Sequence, residues 1–271
     1  MTMKRAYVTL IAGGDAYAPG VETLGRSVRA SGSTLPMVLL CTPDVPAATV
    51  EKLAATGWEP RPVEPIANPA PSGDLIFARF GNTYTKLRAF ALTEVEKAVF
   101  LDADTLVLRN IDELFERPDF AAAPDFFMPD QFNSGVMVLQ PSAARFAAME
   151  AALTTSNTYD GGDQGFLNRF FPDWWAMDVA HRLPARYNLH HFVFQFLAAH
   201  DALRRQFLEK IQIVHYTLQK PWMSPTVTGG SQMWWNFYRD GNAQPEGALR
   251  KKLHAMEDWT FDSVVRTLGG A

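Results

Sequence analysis

The stretch from Phe100 to Leu106, FLDADTL, decides how we interpret this chain. It begins inside an apolar run, Ala98–Leu101, that is typical of a buried strand in the middle of a sheet. The strand ends in two carboxylates, Asp102 and Asp104, and alternate residues of an extended chain share a face. The pattern therefore predicts that both carboxylates converge on one hard cation, which would hold a diphosphate oxygen and neutralise a phosphate leaving group.

Two other interpretations of the same residues remain open at this point. Aspartate is common in turns, so a solvent-exposed turn also explains an isolated Asp-x-Asp. An aspartyl-phosphate phosphatase carries Asp-x-Asp-x-Thr after a strand, but here the threonine is Thr105 and the position that requires it is Leu106. The phosphatase pattern therefore fails by one position.

The composition limits the class of protein. The chain has 271 residues, of which 47% are apolar, and its 25 basic and 29 acidic side chains give a net charge of −4. Such a chain can bury a large core as one α/β domain, is too apolar for disorder, and lacks the basic excess that favours a nucleic-acid partner. The single cysteine, Cys41, permits no internal disulfide, and no apolar run approaches the ~18 residues of a membrane span. We predict a cytoplasmic protein with no transmembrane segment and no nucleic-acid partner.

Strand and helix signals alternate along the chain, which predicts a layered α/β fold with ligands at the carboxyl ends of strands. The strands on both sides of the proline-rich passage 60–71 suit one sheet, so we predict a single domain over residues 1–271. The predicted strands are Tyr7–Ile11, Met37–Cys41, Ala98–Leu101, Phe120–Ala123, Gly135–Leu139 and Ile211–His215. The predicted helices are Val21–Ala30, Pro46–Thr56, Thr83–Thr93, Ile111–Glu116, Ser142–Thr154 and Gln164–Phe171.

Three basic or imidazole side chains are candidates for the same site. His215 ends an apolar segment, and two carboxylates plus one imidazole suit Mn²⁺ better than an all-oxygen Mg²⁺ site. Lys220 follows closely and can meet a phosphate as a point charge. Lys86, three positions after the predicted helix cap Thr83, adds a cation to a positive helix N-terminus and predicts an anion site. A structural histidine and two solvated lysines are the alternative for these three residues.

Two polar loops offer groups for sugar recognition. Asn133 and Ser134 precede a predicted strand and supply an amide and a hydroxyl. Asp160, Asp163 and Gln164 lie on a glycine-rich loop before a predicted helix, and two acids and an amide are what polyol recognition requires. Asp163 also occupies the position of a helix N-cap, which is its structural alternative.

Taken together, these segments resemble glycosyltransferase family 8, and its glycogenin branch most closely. The resemblance covers nearly the whole chain in order, and it implies a GT-A fold, Rossmann-like, with a mostly parallel central sheet and helices on both faces. It also implies a retaining transfer of a hexose from UDP-glucose or UDP-galactose, with Mn²⁺ as the cofactor and Mg²⁺ as the second candidate. The matching segments are Tyr7–Leu10, Asp15–Ala18, Thr85–Leu87, Asp102–Leu108, Asn110–Asp112, Ala123–Asp125, Phe132–Val136, Gln140–Ser142, Asp160–Gly165, Tyr187–Leu189, Lys220–Trp222 and Trp234–Asn236.

The resemblance also implies a role for individual residues. The metal ligands would be Asp102, Asp104 and His215, and the catalytic residues Asp163, Gln164 and Lys220. The donor would be bound by Leu10, Tyr17, Arg79, Lys86, Ala103, Asn133, Ser134 and Asp160. Two departures from the branch are an extra residue in the loop Ile11–Asp15 and a spacing from His215 to Lys220 that is one residue shorter.

The acceptor is where the chain differs most from the glycogenin branch. In that branch the protein glycosylates its own tyrosine, eight residues after the tyrosine of the Tyr-Asn-Leu segment, and here that count reaches Gln195. An amide lacks the hydroxyl that a glycosyl transfer attacks. We therefore predict a separate acceptor, a saccharide, polyol or glycan. A self-glucosylating primer and a non-catalytic nucleotide-sugar-binding protein are the alternatives, and a homodimer is a candidate assembly.

Overall fold

The computed structural model describes residues 3–69, 78–153, 158–193, 210–217, 220–223 and 229–239. The chain divides into two units by its contacts. The first comprises Met1–Ala18, Leu35–Ala103 and Glu113–Pro184, and the second comprises Pro19–Thr34, Asp104–Asp112 and Ala185–Ala271. The organisation as a single domain stays a prediction.

The described residues form nine strands, five α-helices and several 3₁₀ segments. The strands are β1 (Met3–Ile11), β2 (Met37–Cys41), β3 (Glu59–Pro62), β4 (Val95–Leu101), β5 (Thr105–Val107), β6 (Ala121–Pro124), β7 (Phe132–Leu139), β8 (Leu189–His190) and β9 (Ile213–His215). The α-helices are α1 (Ala18–Ala30), α2 (Ala47–Ala54), α3 (Ala143–Leu153), α4 (Asp163–Phe170) and α5 (Gly229–Arg239). The 3₁₀ segments are Ala78–Ala91, Asp112–Glu116, Trp174–Ala176, Val179–His181, Ala185–Tyr187 and Pro221–Met223.

A six-stranded sheet forms the centre of the first unit, in the order β3-β2-β1-β4-β7-β6. The pairs β1–β2, β1–β4 and β2–β3 are parallel, and β4–β7 and β6–β7 are antiparallel. Three of these five pairs are parallel, so the sheet is mixed with a parallel majority, and the predicted α/β class is confirmed. All eight residues of β7 are buried, as expected for a strand inside a sheet.

Each unit has its own apolar core. In the first unit, aromatic rings from outside the sheet pack on its strands, and the Phe120 and Phe171 rings stack at 3.7 Å between centroids. In the second unit, β5, β9 and β8 form a small sheet in that order, and the fully buried Trp234 of α5 belongs to the same apolar cluster as β5 and β9 residues. Within the described part of the chain, no helix combines the length and the apolar character needed to cross a membrane.

Two local predictions about helix ends are wrong. The predicted helix Thr83–Thr93 is a longer 3₁₀ segment that begins at Ala78, so Thr83 lies inside it and is not its N-cap. Within this segment, the Gly81 carbonyl accepts a hydrogen bond from the Asn68 N–H, which belongs to the chain before the segment. In α4 the N-cap is Gly162, and Asp163 is the first helical residue, because its carboxylate is used in contacts outside the helix.

Candidate functional site

The ends of three neighbouring strands meet at one edge of the sheet in the first unit. β1 and β4 run parallel and finish there, and β7 runs the other way and starts there. Thr9 Oγ1 donates to the Leu101 carbonyl at 2.7 Å, and the Asp102 N–H donates to the Gly135 carbonyl at 2.8 Å. These bonds place Asp102, at the end of β4, beside the start of β7, as expected for a ligand edge in an α/β sheet.

Lys86 is the centre of a buried ionic network at this edge. Its Nζ lies 2.9 Å from Asp102 Oδ1, 2.8 Å from Asp163 Oδ2 and 3.1 Å from Ser134 Oγ. Burial lowers the pKa of Lys86, but the charges of Asp102 and then Asp163 outweigh it, so the pKa lies above the ordinary lysine value. Lys86 lies inside the 3₁₀ segment Ala78–Ala91, so its predicted position at a helix N-terminus is wrong, while its predicted role in binding an anion stays a prediction.

The two polar loops predicted from the sequence come together through a residue outside both loops, Asp125. Asp125 Oδ2 accepts from Asn133 Nδ2 at 3.1 Å and from Gln164 Nε2 at 3.3 Å. The Ser134 N–H donates to Gln164 Oε1 at 3.3 Å, and Ser134 Oγ donates to Asp163 Oδ2 at 2.8 Å. Asp125 was not among the site residues predicted from the sequence, although it lies in the segment Ala123–Asp125 that resembles the family.

Asp160 organises the glycine-rich loop. Its carboxylate accepts from the Gly162 N–H at 2.9 Å and from the Gly165 N–H at 3.1 Å. A Cβ at Gly165 would lie 2.3 Å from Asp160 Oδ1, so any other residue here would force the Asp160 carboxylate to shift. Burial raises the pKa of Asp160. The contacts show a loop-holding role for Asp160, and its donor-binding role stays a prediction.

Asp104, His215 and Lys220 come together in the second unit. β5 pairs with β9 so that Thr105 lies opposite His215, and the Tyr216 N–H donates to the Asp104 carbonyl at 2.8 Å. His215 Nε2 lies 3.2 Å from Asp104 Oδ1, and Lys220 Nζ pairs with Asp104 Oδ2. Burial raises the pKa of Asp104, but Lys220 and then His215 outweigh it, so the pKa lies well below its usual range. Asp104 is therefore charged at neutral pH.

The donor set at His215 fits a metal ion. Asn188 Oδ1 lies 2.8 Å from His215 Nδ1, and because an amide oxygen only accepts, Nδ1 carries the proton. In a neutral ring Nε2 then carries a lone pair and faces Asp104 Oδ1, a second acceptor. Two facing acceptors are favourable only with a cation or an added proton between them. Asn188 was absent from our predicted residues, although the Tyr-Asn-Leu segment contains it.

Asp102 belongs to the same candidate metal group. Only Ala103 separates Asp102 from Asp104, so both carboxylates project from the same short loop. That loop is a turn, but Asp104 is 6% exposed, so the interpretation as a solvent-exposed turn is wrong. Asp102, Asp104 and His215 together form a group that could hold a metal ion.

The other predicted donor-binding residues lie in the first unit. Leu10 is half-buried near the end of β1, Tyr17 is half-buried just before α1, and Ala103 is buried. Arg79 lies near the start of the 3₁₀ segment Ala78–Ala91. The roles predicted for these four residues stay predictions.

Comparison with known proteins identifies the class of this chain. The model of the glycosyl transferase family 8 matches residues 8–226. The described residues also carry a candidate metal group at the end of a central strand. The chain belongs to glycosyltransferase family 8, so the interpretation as an aspartyl-phosphate phosphatase is wrong.

The relatives include glycogenins and glucuronosyltransferases. Glycogenin-1 of Caenorhabditis elegans is 40% identical over 243 residues, which cover 87% of this chain and 56% of that protein. Glycogenin-1 of Mus musculus is 39% identical over 223 residues, with 80% and 65% covered. Inositol phosphorylceramide glucuronosyltransferase 1 of Arabidopsis thaliana is 37% identical over 238 residues, with 81% and 42% covered. The chain thus spans between two fifths and two thirds of the length of these relatives.

Solved structures confirm the predicted GT-A fold. The galactosyltransferase LgtC, in complex with donor and acceptor sugar analogs, matches with a TM-score of 0.62 at 18% identity, covering 89% of this chain and 98% of that one. The glycosyltransferase GlyE of Streptococcus pneumoniae TIGR4 matches with a TM-score of 0.63 at 23% identity, covering 93% and 64%. At these identities the likeness concerns the fold alone.

Proposed function

We propose that this chain is a retaining, Mn²⁺-dependent hexosyltransferase that moves glucose or galactose from a UDP-sugar to a separate saccharide, polyol or glycan. One observation carries the proposal. The buried ammonium of Lys86 binds both Asp102, a member of the candidate metal group, and Asp163, on the loop predicted to hold the sugar. A single cation thus joins the predicted diphosphate end of the donor site to its predicted sugar end. The single cysteine, Cys41, suits a cytoplasmic location.

The residues divide by the part of the donor that they would hold. Asp102, Asp104 and His215 would hold the metal, which would neutralise charge on the diphosphate when bound. Leu10, Tyr17 and Ala103 would bind the uridine. Lys86, Asn133, Ser134 and Asp160 would bind or position the hexose, and Lys220 would meet the leaving phosphate as a point charge.

Retention of configuration follows from attack on the face that the phosphate leaves. In this route the departing phosphate takes the acceptor proton, while Asp163 and Gln164 orient the sugar. Lys86 and Ser134 both hold Asp163 Oδ2, which favours an orienting role over that of a nucleophile. A double displacement with Asp163 as the nucleophile is the second route, and it also retains configuration.

Lys220→Ala is expected to lower kcat about 10²–10³-fold, roughly 2.7–4 kcal/mol, with saturating Mn²⁺ present. A cation beside the departing diphosphate stabilises charge that develops mainly in the transition state, so the rate falls more than the affinity. The measurement is steady-state UDP release, with Lys210→Ala as the control because Lys210 is exposed in the same unit. A raised KM with an unchanged kcat would show that Lys220 serves ground-state binding only.

The acceptor is expected to be a separate molecule, so the protein gains no hexosyl units on incubation with UDP-glucose or UDP-galactose and Mn²⁺. Gln195 lies outside the described residues, and the prediction therefore rests on its amide chemistry. UDP release and intact-protein mass are measured in the same samples, with maltose added as the separate acceptor and UDP-glucuronate as a third donor. Tyr159 needs particular attention in peptide mapping, since it is 48% exposed and its hydroxyl accepts from Gln164.

The outcomes of this experiment are separable. UDP release with unmodified protein supports the proposal. Serial hexosyl additions on a side chain of this protein would identify a self-glycosylating enzyme. Turnover of UDP-glucuronate alone would contradict the hexose donor, and no release from any donor would contradict the transferase activity proposed here.

A further inference from the structure

Three consecutive apolar side chains are exposed directly after β6. Phe126, Phe127 and Met128 are 49%, 67% and 38% exposed, and the two phenyl rings meet edge to face at 5.3 Å between centroids. Exposed apolar patches rimmed by polar groups commonly mark ligand-binding surfaces. We refer to Phe126, Phe127 and Met128 as the aromatic loop.

Asp125 ties the aromatic loop to the predicted sugar-binding residues. Its Oδ1 accepts from the N–H groups of Phe127 at 2.9 Å and Met128 at 3.3 Å. Its Oδ2 accepts from the side-chain amides of Asn133 and Gln164. One carboxylate therefore fixes both the backbone that carries the exposed rings and the position of two amides.

A third aromatic side chain adjoins the same amide. The Tyr159 hydroxyl accepts from Gln164 Nε2 at 3.1 Å, and half of the tyrosine side chain is exposed. Burial raises the pKa of Tyr159 to about 12, so the hydroxyl stays neutral and remains able to donate a hydrogen bond at neutral pH. Apolar rings thus flank Asp125 and Gln164 through two separate segments of the first unit.

We propose that the aromatic loop and Tyr159 form a saccharide subsite that binds the acceptor, with a pyranose ring stacked on Phe127. A pyranose presents an apolar C–H face together with hydroxyl groups at its edge, and it suits a surface that combines exposed rings with carboxylate and amide groups. This inference names the acceptor class and position, and it rests on the proposed function. An alkyl chain would use only the apolar part of this surface and none of its polar groups.

The test measures maltose binding by saturation-transfer NMR in the presence of UDP and Mn²⁺. The double variant Phe126→Ala/Phe127→Ala is expected to bind maltose at least about tenfold more weakly, since both ring contacts are lost. Val179→Ala is the matched control, because Val179 is also 67% exposed, lies in the same unit and is separate in sequence from the loop. UDP affinity, measured by calorimetry, should be the same in all three proteins, which a collapsed site would not allow.

A further variant separates stacking from general apolarity. Phe127→Leu keeps an apolar side chain without a ring, so maltose binding should fall nearly as far as in the double variant. Octyl β-glucoside and methyl β-glucoside are compared in parallel at concentrations below micelle formation. If the octyl group adds tenfold affinity that survives in Phe127→Leu and disappears in Phe127→Ala, the loop binds an alkyl chain and the proposal is overturned.

The remaining outcomes distinguish failure of the subsite from failure of the proposed function. Unchanged maltose binding in the double variant overturns the subsite. Wild-type protein that binds maltose through the aromatic loop yet releases no UDP from any UDP-sugar would contradict the proposed function and keep the subsite. Wild-type protein that releases UDP and binds no saccharide would contradict the subsite and keep the proposed function.

Discussion

Asp104→Asn is expected to abolish measurable turnover, with a loss of about 3 kcal/mol or more, at least about 10²-fold in rate. Asp104 is held as an anion by Lys220, and asparagine removes that charge while keeping the shape. The metal would then lose one of two charged ligands. The measurement is UDP release across a Mn²⁺ titration, in which added metal should not restore the variant.

The control for this experiment is Glu96→Gln, which neutralises an exposed carboxylate on the same strand β4 that ends at the site. Chelation of wild-type protein should abolish turnover, and Mn²⁺ should restore it. A thermal melt separates lost chemistry from lost folding, because Lys220 is 5% exposed and loses its counterion in the variant. Full wild-type activity in chelator would contradict the metal assignment.

Lys86→Met should lower the free energy of unfolding by about 3–5 kcal/mol when no metal is added. The substitution removes the cation but leaves Asp102 and Asp163 with their charges, and both are largely buried. Burial lowers the pKa of Lys86, but the two carboxylates raise it by more, so the folded-state pKa lies above the unfolded one. The contribution is therefore complete below about pH 10 and is lost only as the pH rises through the folded value. Urea unfolding between about pH 6 and 9 should give a constant difference from wild type.

Two further variants keep this prediction falsifiable. Lys52→Met removes an exposed lysine on α2 and is expected to change stability by no more than about 1 kcal/mol. The double variant Lys86→Met/Asp163→Asn removes one of the stranded charges and should recover about 0.5–3 kcal/mol relative to Lys86→Met. Additive losses in the double variant would show that Lys86 and Asp163 are not energetically coupled.

Much of the fold and of the candidate site follows from local sequence patterns. Strands β1, β2, β4 and β7 are apolar runs, and each was predicted near its observed position. Asp102 and Asp104 were predicted as candidate ligands because an apolar strand that ends in two carboxylates is a local signal. The short strands β5 and β8 were missed, since two or three residues carry no periodicity and form only by pairing with β9.

Lys86 shows where local patterns fail. The sequence predicts a cation at a helix N-terminus, whereas its ammonium pairs with Asp102, 16 residues away, and with Ser134, 48 residues away. Asp125 and Asn188 were missed for the same reason, because their partners Gln164 and His215 lie 39 and 27 residues along the chain. Side chains alone do not reveal which distant group they will meet.

The sequence by itself determined the apolar strands β1, β2, β4 and β7, the α/β class and the chemistry available, since each depends on residue type and near-neighbour spacing. The tertiary structure decided which charges share a partner: Lys86 with two carboxylates in one unit, and Asp104 with Lys220 and His215 in the other. The physical reason is burial. A lysine or an aspartate is strongly coupled only when folding removes water from around it and brings an opposite charge within about 3–4 Å, and neither event is written in local sequence.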